Sequence, residues 1–136
     1  MKVLFRSFEL DTANIVIGNY VEENGFHMVE GIPNFEKPCV RDYIIDGDGN
    51  KREVTPDYLS INFPDMLDSE GNKIFASLSE DGKGATICQL FDCDGGTFRD
   101  ILIWKDNRFL FKHSGDEYCD TPTSNILAKE IILCGS

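Results

Sequence analysis

The sequence predicts an all-β protein: an antiparallel meander of short strands, with at most one or two short helices, arranged as a barrel or sandwich. Three observations carry that expectation. Short segments rich in Val, Ile, Phe and Tyr alternate apolar with polar side chains, the period of a half-buried strand. Clusters of Asp, Asn and Gly separate those segments at close intervals, as turns do. Only Pro122 to Ala128, behind Asp120 or Thr121 as a cap, has the grammar of a helix.

In chain order, Val3 to Phe8 reads as a first strand, ending at a turn around Asp11-Thr12-Ala13-Asn14. Asn14 to Glu22 is a second strand, and Asn24-Gly25 supplies a hairpin turn from which Phe26 to Glu30 returns. Gly31 to Pro38, with prolines at 33 and 38, is expected to be a loop. Val40 to Ile45 is a strand ending at Asp46-Gly47-Asp48-Gly49-Asn50, with Lys51 to Val54 pairing back across it. Leu59 to Phe63 alternates again before Pro64, which should end that strand, and Asp68-Ser69-Glu70-Gly71-Asn72 forms a further turn. Gly84 to Asp92, Thr97 to Lys105 and Arg108 to His113 form a meander joined at Asp94-Gly95-Gly96 and Asp106-Asn107. After the short helix a last strand runs from Glu130 to Cys134.

A chain of 136 residues supports one domain with one core, here divided into an N-terminal β part of about residues 1–63 and a C-terminal part of about 64–136. With 41% hydrophobic residues and ten Phe it is too apolar to remain disordered. Its longest apolar runs, around Ile101 to Trp104 and Ile131 to Cys134, fall far below the ~18 residues that span a bilayer. The opening Met1 to Arg6 lacks the apolar core of a secretory signal, so the expected location is the cytoplasm.

The net charge of −11, from 24 acidic and 13 basic residues, disfavours direct contact with nucleic acid or with membrane surfaces, because phosphates are bound by Lys and Arg. An acidic surface can meet a basic partner, in one version by imitating DNA. The acids are scattered among turns rather than set along a helix face, which is also the pattern of solvated loops.

No catalytic, cofactor or metal residue is assigned. Asp46, Asp48 and Asn50 place oxygen side chains at alternating positions, as a calcium loop does, but Lys51 stands where the sixth-position Gly belongs and Asp57 where a bidentate Glu belongs. Cys39, Cys88, Cys93, Cys119 and Cys134 contain no Cys-x-x-Cys pair, and neither His27 nor His113 lies at zinc-ligand spacing from a cysteine pair. Cys88 and Cys93 sit among acids, which disfavour a thiolate nucleophile. Gly82-Lys83-Gly84 lacks the strand-to-helix setting and the Lys-Ser/Thr of a phosphate loop. His27 reads as a strand residue, and His113 beside Ser114 is not a triad. Trp104, Phe109 and Phe111, with Tyr20, Phe26 and Tyr58, are expected in the core unless exposed together.

Two stretches carry a family resemblance. Phe5-Arg6, Leu10-Asp11 and Ile15-Val16-Ile17-Gly18-Asn19-Tyr20-Val21 resemble the opening of YopX-like phage and prophage proteins. Val54-Thr55-Pro56-Asp57 followed by Met66 to Phe75 resembles that family's Gly-Leu-x-Asp-x-x-Gly-x-x-Ile-Tyr/Phe signature. Ala76-Ser77-Leu78 and Pro64-Asp65 depart from the family pattern, which makes this a divergent member. The resemblance implies a β-rich protein with a small barrel-like C-terminal half, of a phage, prophage or other mobile element in a bacterial host cell, with room for a homo-oligomer and no catalytic residues to carry over. The expected function is that of a non-enzymatic accessory protein acting through protein contacts, such as an inhibitor of a host defence or regulatory factor, with a host or phage protein of basic surface as partner. The alternative is an oligomer that binds a small ligand such as a nucleotide signal.

Overall fold

The computed structural model describes residues 3–68, 70–91, 96–115, 117 and 126–131. Among these the regular secondary structure is almost entirely strand, as the alternation predicts: β1 (Leu4–Phe8), β2 (Ile15–Val29), β3 (Ile32–Ile45), β4 (Lys51–Glu53), β5 (Ser60–Asn62), β6 (Ala76–Ser77), β7 (Thr86–Phe91), β8 (Thr97–Lys105), β9 (Arg108–Phe111) and β10 (Ile126–Ile131). They form one open sheet in the order β10-β7-β8-β6-β5-β1-β2-β3-β4, with β9 pairing β8. The pairings are antiparallel except for a single parallel match of Ser77 on β6 with Ile103 on β8. A 3₁₀ turn at Pro56–Tyr58 is capped by the Thr55 hydroxyl, which accepts from the Asp57 N–H.

Three expectations are corrected. Asn24-Gly25 makes no turn. It lies inside β2, opposite Val40 and Cys39 of β3, and the chain reverses instead at Glu30-Gly31. Both reversal residues have positive φ, 53° and 79°, the geometry that a two-residue turn between twisted strands requires. The segment read as a proline loop is the first part of β3, with Pro33 opposite Met28 and Pro38 opposite Phe26. A bulge between those two pairs takes up Phe35, Glu36 and Lys37. Strand β3 tolerates the prolines because β4 covers only Tyr43 to Ile45, leaving the rest as an edge. At the other end of the chain, Ile126 to Ala128 is strand rather than helix, and residues 122–125 lie outside the described residues.

The main core joins Ile61, Met66, Ile74, Leu102, Phe109 and Phe111 across strands from both parts of the chain. A smaller cluster of Val16, Ile44, Val54 and Leu59 closes the β2–β3 side, and Ala85 and Ile101 form a third. Buried Asn62 donates its amide to the carbonyls of Met66 (2.9 Å) and Ile74 (2.8 Å), pinning the loop that leads from β5 to β6. Gly18 is required by a close approach: a Cβ there would lie 1.9 Å from the carbonyl oxygen of Ile45.

Gly18→Ala should therefore destabilise the fold by about 1–3 kcal/mol in urea titration, because backbone must move to admit one methyl group. Phe75→Ala, which empties a fully buried site, should cost about 3–5 kcal/mol. Gly71→Val, at φ 84°, should cost about 1–3 kcal/mol through backbone strain alone. The neighbouring exposed change Glu70→Gln should stay within about 0.5 kcal/mol.

Candidate interaction surface

The acidic loop after β3 is a turn whose carboxylate serves the backbone. Asp46 accepts from the N–H groups of Asp48 and Asn50 (both 3.0 Å), and its other oxygen takes the Arg52 guanidinium at 2.9 Å. Arg52, which also reaches Glu9 at 3.1 Å, holds the Asp46 carboxyl below the usual carboxylate range. The Asp68 to Asn72 loop repeats the arrangement: Asp68 accepts from the N–H groups of Glu70 (2.9 Å) and Asn72 (2.8 Å). No three His, Cys, Asp or Glu side chains converge as a metal set among the described residues.

Gly82-Lys83-Gly84 turns its carbonyls inward. Gly84 accepts from Arg6 at 2.7 Å and Lys83 from the Ser77 hydroxyl at 2.6 Å. The N–H groups of Gly82 and Lys83 are taken by the Ser79 carbonyl and the Asp81 carboxylate. His27 and His113 are both exposed, and the backbone N–H of His113 donates to the buried Asp100 carboxylate at 3.0 Å. Asp100 also receives the N–H groups of Ile101 (2.8 Å) and Ser114 (3.1 Å), so it ties β8 to the turn after β9.

Cys88 is fully buried in the main core, where desolvation, with Asp100 and Asp68 nearby, pushes its thiol up to about 12. Cys39 is half-buried on β3, and the other three cysteines lie outside the described residues. The aromatic residues separate into two groups. Trp104, Phe109 and Phe63 pack as a triangle with ring centroids 4.5–5.5 Å apart, Phe111 is buried in the same core, and Tyr58 meets Phe8 edge-on at 5.3 Å. Tyr20 packs on Phe5 and gives its hydroxyl to Asp42 and Glu22, which together with burial raises its pKa. Phe26 instead belongs to the arm, edge-on to Phe35 at 5.0 Å.

That arm is what sequence reasoning missed. Strand β2 has 15 residues, about 50 Å at a strand's rise, yet β1 pairs only with Ile15 to Gly18. From Asn19 outward β2 pairs with β3 alone, and none of the three core clusters includes a residue between Val21 and Tyr43. The face of β2 that seals the core through Val16 and Tyr20 continues outward to Phe26 and Met28, which belong to none of the core clusters among the described residues. Met28 is 48% exposed, Val29 60%, Ile32 69%, Phe35 72% and Val40 55%. The alternation of Phe26, His27 and Met28 and the Glu30-Gly31 pair were the available signals. Asn24-Gly25 outweighed them because it is the stronger turn dipeptide.

Comparison of the chain with protein-family models, with curated proteins and with solved structures finds no match.

Burial of Cys88 has a chemical consequence. In the native protein at pH 8 its peptide should stay unmodified by iodoacetamide while becoming fully modified in urea, read by mass spectrometry of the digested protein. Its folded pKa lies above the unfolded 9.0, so its contribution to stability should be intact below about pH 9 and lost as pH rises toward 12. Cys88→Ala should flatten that alkaline loss.

Proposed function

We propose that this is a non-enzymatic accessory protein of a phage, prophage or related mobile element, acting through contact between its acidic body and a basic surface on a host or phage protein. The phage setting rests on the YopX-like stretches from Phe5 to Val21 and from Val54 to Phe75. The contact chemistry rests on how charge is disposed. Lys51, Arg52, Lys83 and Lys105 are each engaged by an acidic neighbour, and Arg6 is buried. Asp11, Asp48, Asp57, Asp65, Glu70 and Asp106 stand exposed at turns of the body. With 24 acids against 13 bases, and four of those bases compensated locally, the surface presents a net negative field, and such a field selects and steers a basic partner.

Immobilised protein should capture a basic protein from lysate of a bacterial host. Retention of that protein should fall at least about tenfold between about 0.1 and 1 M salt, as the Debye length shrinks from about 10 to 3 Å. Capture that is indifferent to salt, or turnover of a small substrate by the purified chain, would sink this reading.

A further inference from the structure

We infer that the outer edge of β2 is a strand-docking site, where an extended segment of a basic partner adds beside Glu22 to Met28, continuing the line of β1 and antiparallel to β2. The inference rests on the acidic-body reading for the partner's charge and adds the element that docks. Its basis is where the backbone groups point. The Glu9 N–H donates to the Asn14 carbonyl at 2.8 Å, which sets the even-numbered residues of β2 toward β1. The Val54 N–H donates to the Asp42 carbonyl at 2.9 Å, which sets the even-numbered residues of β3 toward β4 and leaves its odd ones to bond the odd residues of β2. The two alternations agree. Glu22, Asn24, Phe26 and Met28 therefore aim their N–H and C=O groups past the end of β1, whose last pair with β2 is Phe5 with Gly18. Among the described residues no strand pairs with β2 there, and of these groups the Phe26 carbonyl accepts from the Arg41 guanidinium at 3.2 Å.

Proteins guard a long edge with proline, lysine or a bulge. The β3 edge of this ribbon has Pro33, Pro38 and the bulge, whereas Ile15–Val29 contains no Pro, Lys or Arg. An unguarded edge accepts an extended chain through main-chain hydrogen bonds, and the side chains at alternate positions select which chain. Here they select a cation. Glu22 stands directly opposite Asp42, an unfavourable like-charge pair, and both carboxylates accept from the single Tyr20 hydroxyl. Among the described residues no ion pair reaches either acid, although the neighbouring Glu23 holds Lys51 at 2.8 Å. A Lys or Arg opposite Glu22 on the added strand compensates both carboxylates. Farther out on the same face, half-buried Phe26 and exposed Met28 offer apolar neighbours to the next alternate positions. The occupant is thus an extended segment with a cation at the end nearest the body and apolar residues toward the tip of the arm.

The probe is a short acetylated and amidated peptide with valine opposite Met28 and Phe26, arginine opposite Glu22 and threonine elsewhere. On saturating the full chain with it, hydrogen exchange read by NMR should slow at least about tenfold at the amides of Glu22, Asn24, Phe26 and Met28. Methylating the peptide nitrogens that face β2, or replacing its arginine with glutamate, should each weaken binding at least about tenfold. Asn24→Pro, which removes an outward N–H and leaves the β2–β3 ladder intact, should do the same in a protein verified as folded by its far-ultraviolet spectrum. The inference is overturned by no binding at about 1 mM peptide, by a methylated peptide that binds equally well, or by exchange unchanged at those four amides. Protection that arises without peptide as protein concentration rises would mark a second copy as the occupant and overturn it too. Capture from lysate separates the two readings. Asn24→Pro should retain less of the basic protein, and equal retention with its salt dependence intact would sink the docking edge while leaving the acidic-body reading in place.

Discussion

The fold turns on one buried guanidinium. Arg6 lies inside the sheet on β1, where it donates to the Gly84 carbonyl at 2.7 Å and to the Thr86 hydroxyl at 3.3 Å, with its plane 4.1 Å above the Phe75 ring. Burial lowers its pKa to about 10, which still leaves it charged at neutral pH. A buried charge must be met by oriented dipoles or by an aromatic face, and here both are supplied from residues roughly 70 to 80 positions away. The surroundings are fitted around it. Thr86 also accepts the Phe75 N–H at 3.1 Å, Ser60 donates to the Arg6 carbonyl, and Gly84 has no room for a Cβ because Tyr58 backbone stands 2.1 Å from where it would be. Arg6 and Phe75 thus meet in the interior, and their residue types answer a packing and solvation requirement.

Much of the strand content was legible because β1, β4, β5, β8 and β9 combine alternation with local turns. The Asp106-Asn107 turn between β8 and β9, with φ of 54° and 62°, shows why: its residue types are those that enter the left-handed region most readily. The arm was not legible by the same rules. Asn24-Gly25 and the two prolines are local signals for turn and loop. In a ribbon paired on one side only they cost little, because an edge tolerates missing donors and flexible residues. Tertiary placement, which no local window contains, decided that segment.

The acidic motifs show the converse, chemistry that looked like a site and proves to be a construction element. Asp46-Gly47-Asp48-Gly49-Asn50 and the loop from Asp68 to Asn72 are the same device. In each the first Asp accepts from the N–H groups two and four residues on, the fourth residue is Gly at φ 84°, and the backbone of the first and fifth residues closes the loop. The alternating oxygens that suggested calcium in the first loop recur in the second as Asp68, Glu70 and Asn72, and in both the first Asp is taken up by backbone N–H groups. Asp100 does related work in the interior by accepting three N–H groups. Aspartates that organise backbone in this way are less available for metals or acid–base chemistry than their number in the sequence suggests.

Removing those structural aspartates sharpens what remains on the surface. The body keeps an excess of exposed acids at its turns, while the arm is nearly neutral and apolar at its end. Proteins seldom leave a long, flat, apolar edge uncovered, because it invites indiscriminate pairing. Here the prolines at 33 and 38 and the bulge at Phe35 to Lys37 blunt the β3 edge, which discourages open-ended strand addition. What they leave accessible is the side-chain surface of Met28, Val29, Ile32 and Phe35. Among the described residues the arm thus combines a β3 edge protected against ladders with apolar side chains left bare on both faces of the ribbon.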